Sequence, residues 1–213
     1  MRFRKVYRIG DEKMIKAVIF DWGGVLIENP AKMMIQRFAA SLGVTDEALN
    51  NAYRNFMREF QTGRLSEEKL WEKLCRELNV SKPYSSSLWG EVFAQAYHPR
   101  TEMFLLASAL KEKGYTVGLL SNCEMRAMEF FQQQHYNMFD VTVFSCAEGT
   151  WKPEKDIYQI ALQRLDVEPQ ETVFIDDRKD FLEGAQKLGI YTILFNSSSQ
   201  VKEELEHYLS VKA

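Results

Sequence analysis

Cysteine is scarce in this chain: Cys75, Cys123 and Cys146 are the only three, and no two of them form a Cys-x-x-Cys pair. An odd number at wide spacing argues against a secreted disulfide scaffold and against a zinc site. Long apolar runs are missing too. The longest, such as 103–110, fall far short of the roughly 18 residues of a membrane span. The first segment, MRFRKVYRIGDEKM, is basic but has no apolar core, and Asp11 and Glu12 speak against a transit peptide. It reads as a surface arm, 1–14, or as residues ahead of a start at Met14, and no function attaches to it. Finally, there is no excess of one charge. With 27 Lys+Arg against 30 Asp+Glu the net charge is -3, which leaves no basic footprint for nucleic acid. These absences describe a compact intracellular protein, expected in the cytoplasm, with neither a nucleic acid nor a membrane as partner.

What is present is an ordinary globular balance, 46% hydrophobic and 27% charged, in a chain of 213 residues long enough for a large core without staples. Five β-rich runs stand out, at 15–20, 115–120, 141–144, 172–175 and 191–195. They are nearly continuous in apolar residues rather than alternating, the pattern of strands buried on both faces of a parallel sheet. Helical stretches at 101–113, 125–135, 155–165 and 179–188 fall between or before them. Strand–helix alternation of this kind predicts an α/β fold, a doubly wound, Rossmann-like parallel sheet.

The gap between the first two strands has a different texture. From Pro30 to Tyr97 there is no convincing strand, only four apolar stripes at helical spacing: Ile35/Phe38/Ala39/Leu42, Leu49/Tyr53/Phe56/Phe60, Leu70/Trp71/Leu74/Leu78 and Leu88/Val92/Phe93/Ala96. Breaks fall at Gly43, at Thr62-Gly63 and around 81–87. Four short amphipathic helices follow from this, inserted at 30–97 between the core segments 15–29 and 98–213. The aromatic stripes are ordinary core residues, although Trp71 and Trp89 could instead serve a dimer contact. The chain is expected to be a monomer or a homodimer.

In an open α/β sheet, ligands sit beyond the carboxyl ends of the strands, at the point where the strand order reverses. The residues there are Asp21 in FDWGGVL, Ser121-Asn122 in LLSNCE, Lys152 in GTWKPE, and Asp176-Asp177 in VFIDDRKD. Each has a plainer reading when taken alone. Asp21 before Gly23-Gly24 could be a turn residue. Ser121 with Glu124 fits a capping box, and Asp177 with Asp180 could cap the next helix. Lys152 precedes Pro153, read as the first residue of a helix, where the dipole disfavours a cation and an anion nearby is implied. The occurrence of all of them at four successive strand ends outweighs the separate readings.

In order, spacing and strand placement these segments resemble the haloacid dehalogenase-like hydrolase superfamily. The resemblance runs from 15 to about 195, with the helical insertion in the place of that family's cap. FDWGGVL, with GRLSEEKLW in the insertion, is similar to a bacterial subgroup containing a glucose-1-phosphate phosphatase. The resemblance implies a Mg²⁺-dependent phosphatase for a small phosphorylated metabolite, of which a sugar phosphate is the expected kind. Asp21 would be the nucleophile that forms an aspartyl-phosphate. Asp21, the carbonyl of Gly23 and Asp177 would hold Mg²⁺, with Asp176 in support. Ser121, Asn122 and Lys152 would bind the phosphoryl group, Lys152 also stabilising charge in the transition state.

Two positions depart from the family pattern. The general acid that usually follows the nucleophile by two residues is replaced by Gly23, a loss of roughly 10²–10⁴-fold unless water, a cap residue or a good leaving group substitutes for it. Phe181 stands where an outer metal-shell Asn or Asp is common, with Asp180 a possible compensation. Arg64 is the cap residue considered for reaching the site, against the plainer reading of an exposed loop arginine. Cys123 reads as a small buried residue, and His98 and His135 as structural. Two other readings stay open: a metal-independent 2-haloacid dehalogenase, and a catalytically weak module that binds a phosphorylated ligand.

Overall fold

The computed structural model describes residues 14–83, 85 and 87–210. Except for Met14, the N-terminal arm at 1–14 lies outside the described residues. The five apolar runs form strands β1 (Ala17–Phe20), β2 (Thr116–Ser121), β3 (Val141–Phe144), β4 (Thr172–Asp176) and β5 (Tyr191–Leu194). All pair in parallel, in the order β3-β2-β1-β4-β5. The chain therefore winds outward from β1 to β3 and then returns across β1 to lay down β4. That reversal puts the topological switch point between β1 and β4.

The doubly wound α/β sheet expected from the alternation is what forms. Its near-continuous apolar strands are explained by burial on both faces. Ile19, Leu120 and Phe174 pack against Ile157, Ala161 and Leu165 of one helix (Lys155–Leu165) and Leu182 and Ala185 of another (Lys179–Gln186). Val18, Phe20, Leu119 and Ile175 point the other way, into a larger cluster that includes Met103 and Ala107 of Thr101–Glu112. That second cluster runs on without a break into the insertion.

Among the described residues the insertion holds five helices: α1 (Ala31–Leu42), α2 (Asp46–Arg54), α3 (Met57–Gln61), α4 (Glu67–Leu78) and α5 (Leu88–Ala96). Thr45, Ser66 and Ser87 cap α2, α4 and α5 by accepting the N–H three residues on. α1 ends on left-handed Gly43 at φ 67°. The count corrects the expectation of four. The stripe Leu49/Tyr53/Phe56/Phe60 divides, because the last turn of α2 tightens: Asn55 and Phe56 donate to the carbonyls of Ala52 and Tyr53, three residues back. Trp89 sits at the centre of the bundle, its ring centroid 4.8 Å from Phe38, 4.7 Å from Phe60 and 5.4 Å from Tyr53. Both Trp89 and Trp71 are buried, so they are core residues here and offer no surface for a dimer.

The chain leaves for the insertion and returns from it along paired segments. Glu28 N–H donates to His98 O (2.9 Å) and Arg100 N–H to Leu26 O (2.8 Å). This pairing anchors both ends of the helical segment directly beside the turn that follows β1. No helix among the described residues is long and apolar enough to cross a membrane.

Candidate active site

β1 ends at Phe20, and the next residue, Asp21, is buried at the switch point with its N–H bound to Ile175 O of β4 (2.9 Å). Beyond it the chain folds back tightly: the N–H groups of Val25, Leu26 and Ile27 all reach the carbonyl of Trp22. This turn needs Gly24, which adopts φ +98° and lies so close to β4 that a Cβ would fall 2.1 Å from Asp177 Oδ2.

Lys152 arrives from the loop after β3 and is fully buried. Its ammonium donates to Asp21 Oδ1 (2.8 Å), Asp176 Oδ2 (2.7 Å) and the carbonyl of Leu120 (3.0 Å), which uses all three of its protons. The rings of Phe181 and Phe174 flank it, 4.9 and 5.2 Å from ammonium to centroid. Phe181 therefore packs against the lysine. Asp180, the possible compensation for it, is paired to the Arg178 guanidinium at 2.6 Å.

The loop that carries Lys152 is held by Asn122. Its carboxamide accepts the Lys152 N–H (2.8 Å) and donates to the Lys152 carbonyl (3.0 Å). The helix expected at Pro153 begins later, at Lys155, with Glu154 as its flanking residue. Lys152 is thus a loop residue aimed inward and does not stand at a helix N-terminus. The capping-box reading of Ser121 and Glu124 also gives way: Ser121 closes β2, and the next helix, Met125–Gln133, has no side-chain cap. Nor does Asp177 cap the helix after it, which starts behind Arg178 without a side-chain cap.

Oxygens of Asp21, Asp176 and Asp177 lie within 4.8 Å of one another. Both oxygens of Asp176 are engaged, one by Lys152 and the other by Arg178 N–H (2.9 Å). Electrostatics reflect this crowding. Burial pushes Asp21 up to about 7, with Lys152 pulling it back and Asp176 pushing it further. Asp177 is raised by burial and by Asp176, against a pull from Lys152 and a hydrogen bond from Asn29. On Lys152, burial alone would lower the pKa, but the two carboxylates outweigh it and leave it raised. Three acidic groups with one buried ammonium are short of positive charge. Hard oxygen donors in such a setting suit Mg²⁺.

A cavity of about 430 Å³ opens from these groups toward the insertion. Asp21, Gly23, Ser121, Asn122, Lys152 and Asp177 line its inner end. Glu124 lines it as well, a buried carboxylate whose Oε1 accepts from Tyr53 O–H (3.3 Å) and Gln61 Nε2 (2.9 Å) of the insertion. Burial raises its pKa, against the pull of Gln61 and Tyr53. The sequence pattern gave Glu124 only a capping role. The available sign was a glutamate two residues after a strand-end Ser-Asn pair. Ser145, in a helical turn after β3, was not singled out at all. Its hydroxyl donates to Gln61 O (2.5 Å) and accepts Cys123 N–H (3.0 Å), joining insertion to core.

Arg64 does not line the cavity and instead donates to Gly149 O at 2.8 Å. Cys123 is buried. His98 and His135 are exposed and apart from the cavity lining.

Comparison with known proteins gives this geometry a family. Residues 15–189 match the family described as haloacid dehalogenase-like hydrolase. The chain is 32% identical over 206 residues to acyl-CoA dehydrogenase family member 10 of Mus musculus, matching with 91% of its own length but spanning only 19% of that protein. It is 25% identical to D-ribitol-5-phosphate phosphatase of Bacteroides thetaiotaomicron, covering 90% of this chain and 97% of that protein. Among solved structures, a HAD family enzyme of Bacteroides thetaiotaomicron in complex with magnesium and inorganic phosphate superposes with a TM-score of 0.69. At 23% identity it covers 85% of this chain and 94% of its own, a likeness of fold. By this match over most of its length, the chain belongs to the haloacid dehalogenase-like hydrolase family.

Proposed function

We propose that the protein is a Mg²⁺-dependent phosphatase that hydrolyses a small phosphomonoester through an aspartyl-phosphate on Asp21. The observation that carries this reading is the buried Asp21 carboxylate at the switch point, held by Lys152 through one oxygen and close to two further aspartates. Phosphatases among its relatives, and the magnesium and phosphate bound by a protein of the same fold, support it.

Asp21, Asp177 and the Gly23 carbonyl would hold Mg²⁺, while Asp176, with both oxygens engaged, supports the site through Lys152 and Arg178 N–H. When bound, the ion supplies positive charge that lets an anionic carboxylate and an anionic ester approach. An Asp21 oxygen attacks phosphorus and the ester P–O bond breaks. The departing alkoxide takes its proton from water, because Gly23 offers no acid. Water then attacks the aspartyl-phosphate, releasing phosphate and restoring the carboxylate. Ser121 and the backbone at Asn122 face the phosphoryl oxygens. Lys152 steadies the developing charge, and it reaches an oxygen directly only by exchanging one of its three present partners. The helical segment 30–97 acts as a cap over the core of 15–29 and 98–213, excluding water from the cavity.

Phosphate release from an aryl phosphate should disappear on chelation and return with added Mg²⁺. Halide release from chloroacetate that survives chelation would instead make the protein a dehalogenase. Tight binding of phosphate esters without any turnover would make it a binding module.

The turn after β1 provides a second test. Gly24→Ala places a methyl 2.1 Å from Asp177 Oδ2 and imposes a left-handed φ on a residue with a side chain, so the carboxylate must move. The Mg²⁺ concentration for half-maximal activity should rise roughly tenfold or more. An unchanged Mg²⁺ requirement would remove Asp177 from the ion's ligands.

A further inference from the structure

We infer that the alcohol released from the phosphoester is apolar, an alkyl or aryl group, and not a polyol. The inference rests on the phosphatase reading and concerns the part of the cavity that the insertion lines. There the insertion supplies Met34, Ile35 and Phe38 from α1, Met57 from α3, and Trp89 and Phe93 from α5. Polar side chains of the insertion are few on this wall: those joining it to the core are committed, and the Trp89 indole N–H is buried without an acceptor among the described residues. Tyr53 O–H and Gln61 Nε2 both donate to Glu124 Oε1, between core and insertion. Of the insertion's other polar side chains on the lining, Asn50 is half-buried and Arg54 is exposed.

A sugar or sugar alcohol brings several hydroxyls into such a chamber, and each one without a partner lowers affinity. An alkyl or aryl group meets matching surface and leaves the Glu124 cluster undisturbed. The sugar phosphate expected from the sequence fits this lining poorly. A cavity of about 430 Å³ is large enough for a phosphoryl group with a medium-length chain or a fused ring.

The experiment compares kcat/KM for butyl, hexyl and octyl phosphate, each below its critical micelle concentration, with a hexose phosphate and a pentitol phosphate, all with Mg²⁺. Full burial of a methylene predicts a gain of up to about fourfold for each one added until the chamber fills. Both polyol esters should lie below hexyl phosphate. A flat alkyl series, or a preference for either polyol ester, overturns the inference while leaving the phosphatase reading intact. No turnover of any ester overturns both.

Met57→Gln provides an independent reading, because Met57 is half-buried on the cavity lining. The octyl-to-butyl ratio should shrink by about tenfold in the variant, a change that general loss of folded enzyme does not produce. An unchanged ratio rejects the placement of the alcohol beside α3.

Discussion

Asp21→Asn is expected to lower turnover by roughly 10⁴-fold or more, the loss typical when the nucleophile of a covalent mechanism is removed. Asparagine keeps an oxygen that can accept from Lys152 where Asp21 Oδ1 now does, at 2.8 Å, so the local architecture has no reason to collapse. Stability should move in the opposite direction from activity. Burial raises Asp21 from 3.8 to about 7, so without a metal the folded protein holds a proton that the unfolded chain has lost. The stability linked to this group is present below its usual value near 3.8 and is lost as pH rises through about 7. Asparagine has no such dependence. In chelator, the melting temperature of the variant should therefore gain on wild type between pH 4 and pH 8. Activity measured with Mg²⁺, and a phospho-adduct seen by intact mass in wild type but not in the variant, complete the test. Retained turnover would remove Asp21 from the chemistry.

Lys152→Met should be the most damaging single change to the fold of the site. The ammonium is the shared ion-pair partner of Asp21 and Asp176, and its side chain has no exposure. Methionine fills similar space between Phe181 and Phe174 but leaves both carboxylates without their cation. Removing one partner of a buried pair costs about 3–5 kcal/mol. Part of this is offset as Asp21 takes up a proton, so the deficit should be smaller at acid pH. Turnover should fall by roughly 10²–10³-fold or more through lost charge stabilisation. Denaturant midpoints at two pH values, with kcat measured on the folded fraction, separate the two effects. A variant as stable as wild type would show that the buried carboxylates are neutral in the resting protein.

Much of this was legible in the chain itself. β1 to β5 lie within two residues of the apolar runs, because central strands buried on both faces, as β1, β2 and β4 are, leave an unbroken hydrophobic record, and the edge strands β3 and β5 are short and still largely apolar. The helix Lys155–Leu165 has the expected limits, since its apolar spacing ends at a left-handed residue, Asp166. Short-range backbone geometry was less legible. Nothing in the stripe Leu49/Tyr53/Phe56/Phe60 signals the tightening at Asn55 that separates α2 from α3. The helix at Ser198–Ser210 and the turn at Ser145–Glu148 were not foreseen, the latter being too short to show periodicity.

The chain by itself determined the α/β class, the helical insertion and the acidic, hydroxyl, amide and lysine residues at successive strand ends, because burial period and strand termini are written locally. Only the tertiary structure decided what those residues do to one another. Crossing back over β1 to form β4 brings Asp21 and Asp176 to opposite sides of one ammonium. Asn122 turns out to hold the lysine loop, and Glu124 to join core and insertion. The apolar stripes of α1 and α5 both fill the bundle and wall the cavity. Periodicity marks which face of a helix is apolar, but what that face meets depends on the crossing of distant elements.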